Sequence, residues 1–497
     1  MKKLNNKGYL TVEIILAATI AFTIAFFLIE ITVNFSNASD NYYVDTIFLT
    51  DKALITDNIK TRIQDDIDDN GLITNVTCTN NKCTITYENG SSELKYENNS
   101  IKYNNDYSKE IKNINFKSID VYGGFNEGDY IRFVISFDNT FTDNNYDINV
   151  LMLNSEEEEL GPIGEYITNL YTNNRDTTVI NNGIEYQYAQ NVKLMNDRRG
   201  QNSETTTSLD GGNIRYYGAE PNNYIDIGDR TSDNQVILWR IIGVFDGKVR
   251  IVRNNSIGNY AWDTSSLSIN DGYGINEWSR ADMMKILNPG YINNKDYNTA
   301  GEQIIIDNSL WYEHKNGTCH LGLNNGTVSC DFTSIGLSDA AKKNIVGQIL
   351  YFGGFDKVEV FANQAYSKER GNDVVKVGET CSGSTCNDSV VRTLSSSMNV
   401  GLLYPSDFGY AVDFNAENCQ GFISNLVDCQ ENWMKKYKTW TISPMSKNAR
   451  YAIYINSGVL NSYTVRRGMG TLPVLSLADS AIIKRGKGTQ TYPYKIK

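Results

Sequence analysis

Apolar residues run from Ile14 to Ile29 almost unbroken, relieved only by Thr19, Thr23 and alanines. Counted from Tyr9, the stretch reaches the roughly 20 residues a helix needs to cross a bilayer. The pattern then turns periodic. Val44, Ile47, Phe48, Leu54, Ile55, Ile59, Ile63 and Ile67 recur at helical intervals and form an amphipathic stripe. The two patterns together predict one long helix over 9–68, transmembrane over 9–32, with its outer half packed on a sheet. The helix stops at Asp65-Asp66-Ile67-Asp68-Asp69-Asn70-Gly71, because Asn-Gly is a turn signal. Asp66, Asp68, Asn70 and Gly71 imitate the first half of a calcium loop. The twelfth position is Thr77, where such a loop needs a glutamate, so the segment reads as an acidic helix end.

Period-two alternation follows. Ile73–Thr79, Cys83–Glu88, Glu93–Glu97, Ser100–Asn104, Phe116–Tyr122, Tyr130–Phe137 and Tyr146–Leu153 predict an antiparallel meander over 69–154. The run Glu156 to Glu159, then Gly161-Pro162, marks an acidic linker over 155–165. Residues 166–497 read as a larger domain. Val236–Val244 and Lys248–Arg253 flank Asp246-Gly247, a strong hairpin signal. Ile163–Leu170, Ala281–Leu287 and Leu337–Ile349 read as helices. The predicted fold class is α+β: a long helix on a small antiparallel sheet, then a larger, β-rich α+β domain.

At 497 residues the chain is long enough for two or three domains. Its net charge of -12 argues against nucleic acid as a partner, since phosphate binding needs basic patches. The 32 tyrosines suit exposed sheets and ligand-facing surfaces. Trp239, Trp262, Trp278, Trp433 and Trp440 read mainly as core. The only histidines are His314, assigned to the surface, and His320, assigned to a loop; this weighs against histidine-rich zinc sites and a histidine-based triad. Ser406 beside Asp407 raises a hydrolytic pair, but the adjacency is common in turns. Gly468-Met469-Gly470 lacks the lysine and context of a phosphate loop. No cofactor, metal or catalytic residue is expected.

Eight cysteines fall into local pairs: Cys78 with Cys83, Cys319 with Cys330, Cys381 with Cys386, and Cys419 with Cys429. An even count in short loops points to disulfides and an oxidising, extracytoplasmic setting. Pairing by proximity is one connectivity among many, and free thiols remain the alternative.

Lys2, Lys3 and Lys7 precede the apolar run, so the leader stays cytoplasmic and the bulk of the chain outside. Glu13 stands just inside that run. A carboxylate at membrane depth costs about 2.5–3.5 kcal/mol on insertion scales and points to a functional partner. A cut after Gly8 creates an amine at Tyr9 that a neighbouring subunit's Glu13 could neutralise. The stretch Lys7-Gly8-Tyr9-Leu10-Thr11-Val12-Glu13 with its apolar run resembles the class III signal of type IV prepilins and pseudopilins. The resemblance covers about the first 35 residues. It implies a leader over 1–8, cleavage between Gly8 and Tyr9 by a prepilin peptidase, N-methylation of Tyr9, and an assembly role for Glu13. Tyr9 stands where the family usually has phenylalanine. A secretory signal peptide cut after Ala38 and a plain membrane anchor are the rival readings.

Trp239 to Gly243, Tyr404-Pro405-Ser406-Asp407 and Trp440 to Pro444 are similar to a domain of unknown function in surface proteins of Gram-positive gut bacteria. The ending also resembles C-type-lectin-like and formylglycine-generating-enzyme-like folds, with Leu472 where that domain usually has arginine. The expectation is a minor or tip subunit of an extracellular filament. Its partners are the peptidase and methylase, other pilin subunits through the N-terminal helix, the membrane before assembly, and a glycan or surface ligand for the large domain. The alternatives are a pseudopilin of a secretion or competence machine and a membrane-tethered surface enzyme.

Overall fold

The computed structural model describes residues 51–111, 114–139, 145–155, 159–198, 212–264, 274–289, 309–322, 326–376, 390–478 and 480–497. The chain divides after Glu157 into two compact units.

The described part of the first unit opens with helix α1, residues 51–70. Ile55, Ile59, Ile63 and Ile67 are fully buried on one face, as a four-residue spacing on a helix requires. Leu54, one position off that stripe, is exposed. The helix ends where Gly71 adopts φ +83 and its N–H returns to the Ile67 carbonyl at 2.8 Å. The predicted meander proves to be two sheets. Strands β1 (Ile73–Thr79), β2 (Lys82–Tyr87), β3 (Gly90–Glu97), β4 (Ser100–Tyr103) and β5 (Tyr107–Glu110) form one, in sequential order. β6 (Ile114–Gly123), β7 (Tyr130–Asn139) and β8 (Asn145–Leu153) form the other. The alternation holds residue by residue. Along β7, Ile131, Phe133, Ile135 and Phe137 are all buried. These side chains join the α1 isoleucines in one core. Asp66 leaves no half-built calcium loop: its Oδ2 accepts from the Ser92 hydroxyl and from the Tyr103 hydroxyl at 2.5 Å.

The second unit is organised on a 13-stranded sheet. Its centre is the hairpin Trp239–Phe245 with Lys248–Arg253, turned at Asp246-Gly247 with φ 48 and 80, the positive pair that such two-residue turns need. Every residue of Trp239–Phe245 is buried. One face of the sheet meets Trp262, Trp278, Trp311 and helix α2 (Ile163–Asn173). The other meets Phe408, Tyr410, Trp433 and Leu403. A Cβ on Gly243 would lie 2.1 Å from the Ile214 carbonyl, so the close strand approach there requires glycine. Gly161–Pro162 pairs with Ile482–Arg485, and Lys497 reaches Glu159 at 2.6 Å, so the unit begins and ends side by side.

The expected fold class is corrected by these observations. Among the described residues no helix is long and apolar enough to cross a membrane. α1 carries Asp57, Lys60, Arg62 and Asp65 between its isoleucines, so it has one apolar face only. Residues 9–50 of the predicted helix lie outside the described residues. The larger domain is β-rich, as expected, a 13-stranded sheet with small helices. Leu337–Ile349 yields only helix α4 (Asp339–Lys342), after α3 (Asp282–Leu287). Ile345–Val346 and Gln348–Tyr351 are strands, because β-branched residues there find partners on the main sheet and at Ser395–Met398. Helices α5 (Ala362–Glu369) and α6 (Pro405–Tyr410) were not legible as helical periods.

Candidate functional site

Two polar constellations stand out in the second unit, and they have opposite characters. The first is sealed. Strand Ile214–Tyr216 places Arg215 between two carboxylates. Its Nε pairs with Asp197 Oδ2, and its Nη1 donates to Asp407 Oδ1 at 2.8 Å. Arg250 Nη2 donates to the other Asp407 oxygen at 3.0 Å. That oxygen also caps α6, accepting from the Tyr404 N–H at 3.0 Å. The guanidinium of Arg215 sits 4.5 Å from the Phe245 ring centre and 4.7 Å from that of Tyr410. Burial works against the ionised form of Asp407. The charges of Arg250 and Arg215 outweigh it and hold the carboxyl below its usual range.

Next to this centre, the Ser406 hydroxyl donates to Glu369 Oε2 at 2.6 Å, and the Ser406 N–H donates to Oε1 at 2.8 Å. Burial lifts Glu369 to about 7, against the opposing charge of Arg370. Ser406, Asp407 and Glu369 are each at most 1% exposed. The pair that the sequence offered for hydrolysis is therefore spent on fastening α5 and α6 to the sheet, out of reach of any substrate.

The second constellation is open. Residues 413–431 form a loop closed at its base, where Val412 bridges to Asn432 and the Asp413 N–H donates to the Glu431 carbonyl at 2.9 Å. The disulfide between Cys419 and Cys429 crosses it with Cα atoms 4.8 Å apart. Phe414, Ile423 and Leu426 anchor it in the core, and the Ile423 N–H bonds to the Val360 carbonyl at 2.9 Å. The positions between these anchors face outward. They line a concavity of about 530 Å3 with Asn415, Glu417, Asn418, Gln420, Asn425 and Asp428 among its walls. Its walls contain no lysine, arginine or histidine. Phe422, next to lining Gly421, is 43% exposed and rests on Phe361 with ring centres 4.7 Å apart. The ten-residue spacing of Cys419 and Cys429 identified the staple; the amides and acids inside it were the unread signal.

The other predicted residues distribute as follows. Cys78–Cys83 and Cys319–Cys330 are disulfides, joining β1 to β2 and Asn316–Gly322 to Gly326–Asp331. Gly8, Tyr9, Glu13, Cys381 and Cys386 lie outside the described residues. All six tryptophans are buried, Trp311 included, so none offers a stacking face to a ligand. Tyr186, Tyr188, Tyr216 and Tyr410 are also core, against the expectation of outward tyrosines. His314 is half-buried at a left-handed turn position, and His320 lies on a strand rather than in a loop. No group of metal-holding side chains occurs among the described residues. No known protein family, curated protein or solved structure matches this chain.

Proposed function

We propose that the chain is a prepilin-like surface subunit: cut after Gly8, N-methylated on Tyr9, and assembled through Glu13 into an extracellular filament on which the second unit is the binding head. The observation that carries this reading is the stretch Lys7 to Glu13 ahead of the apolar run. Three disulfides support an oxidising compartment for everything after residue 70. The pairing of Gly161–Pro162 with Ile482 and Ile483 ties the start of the second unit into its own main sheet, which supports a separately folded head. The partners of this reading are a peptidase and methylase, sister subunits, the membrane before assembly, and a ligand on the head.

Mass spectrometry of the protein extracted from its own cells tests it. The expected N-terminal peptide begins with methylated Tyr9. A peptide that still carries Met1 to Gly8 overturns the reading. Shearing then separates a filament subunit, released with the filaments, from a secretion-machine subunit, which stays with the cells.

A further inference from the structure

We infer that the stapled loop 413–431 is a binding site for neutral carbohydrate, read directly by side-chain amides and carboxylates without a metal ion. The inference names the ligand of the head proposed above and rests on its being displayed outside the cell.

The concavity offers hydrogen-bonding groups of both kinds. A sugar presents neighbouring hydroxyls, each a donor and an acceptor at fixed spacing. Asn415, Asn418 and Asn425 each present an amide, a donor and an acceptor in one plane, and Gln420 adds its amide oxygen. Glu417 and Asp428 add acceptors, and hydroxyl-to-carboxylate bonds are the stronger, charge-assisted kind. The walls hold no guanidinium or ammonium group, so nothing there compensates a sulfate, phosphate or sialic acid carboxylate. Two uncompensated carboxylates repel such groups.

The loop is also rigid. Polar surface loops ordinarily lose binding energy to their own ordering. This one is already ordered. The Cys419–Cys429 disulfide, three buried anchors and the Gln420 side chain, whose Nε2 donates to the Phe414 carbonyl at 2.8 Å, hold its path. The Asp413 carboxylate accepts from the Asn415 N–H at 3.0 Å and fixes the entry turn. Exposed polar side chains on a fixed frame, around a concavity, are what direct hydroxyl recognition needs.

The test uses the purified full chain on an array of neutral hexose and N-acetylhexosamine oligosaccharides, beside sialylated and sulfated versions of the same cores. Capture of neutral glycans, unchanged by EDTA, is expected. The double substitution Asn415→Ala with Asn425→Ala is expected to weaken it at least tenfold. Both side chains are solvent-facing, so the thermal transition should not move, and that measurement separates lost contacts from lost folding. Failure to bind any neutral glycan, equal capture of anionic ones, loss of binding in EDTA, or unchanged binding by the double variant overturns the inference. A silent array with methylated Tyr9 present removes this site and leaves the filament reading. Glycan capture by a chain with its leader intact does the reverse.

Discussion

The two units bury different chemistry. The first closes on isoleucines and phenylalanines, with Asp66 at its margin satisfied by hydroxyls. The second seals Arg215, Arg250, Asp197, Asp407 and Glu369 inside a larger body. An apolar core gains from each methylene it hides and tolerates small changes by relaxing. A buried ion network gains little net energy when whole, yet loses heavily when one member leaves, because its partner is then a stranded charge. The second unit can carry this because its sheet is covered on both faces and its charges are matched, two arginines against Asp197 and Asp407, and Arg370 against Glu369.

Removing one arginine should separate the two units most clearly. Arg215→Ala leaves Asp197 and Asp407 underpaired and is expected to cost about 3–5 kcal/mol in the second unit alone. Two-probe chemical denaturation reads this out, and equal loss in both units contradicts it. Ile63→Ala in α1 is expected to cost the first unit about 3 kcal/mol by transfer and cavity terms, with the second unaffected. Replacing Cys419 and Cys429 together by serine frees a short loop and is expected to cost about 2–3 kcal/mol. Proteolysis inside 413–431 should accelerate in parallel.

The smallest effect is a slope. Glu369 stands at about 7 when folded, against an ordinary 4.5. Between those values the folded chain keeps a proton that the unfolded chain has released, so stability declines as pH rises through this window and levels off above it. The melting temperature of the second unit should fall between pH 5 and pH 7.5. Glu369→Gln should flatten that decline and leave the first unit unchanged. An identical slope in the variant assigns the titration to another group.

Much of the first unit was legible because its signals are local. Ile55 to Ile67 carries a helical period, and β2 and β7 alternate strictly, so burial follows from each segment's own pattern. What was missed there, the short strand β5 and the division into two sheets, depends on pairing partners outside each segment. In the second unit the hairpin at Asp246-Gly247 was read correctly, since the turn chemistry sits in two residues. The helices α5 and α6 were not, because Ala362–Glu369 and Pro405–Tyr410 are too short to show a period. Ser406 and Asp407 looked reactive as neighbours in sequence; their partners Glu369, Arg215 and Arg250 are far away along the chain.

From the order of residues alone came the spacing around Gly8 and Glu13, the apolar run, the cysteine pairs Cys78/Cys83, Cys319/Cys330 and Cys419/Cys429, the α1 stripe and the alternating strands of the first unit. Each needs only near neighbours, and backbone periods of 3.6 or two residues translate them into faces. The fully buried charge centre exists only because distant segments meet. The open amide concavity is walled by one stapled loop, and distant partners such as Val360 only fix that loop against the core. Whether a polar side chain is sealed or displayed is set by what covers it, and that cover is contributed by residues dozens to hundreds of positions away.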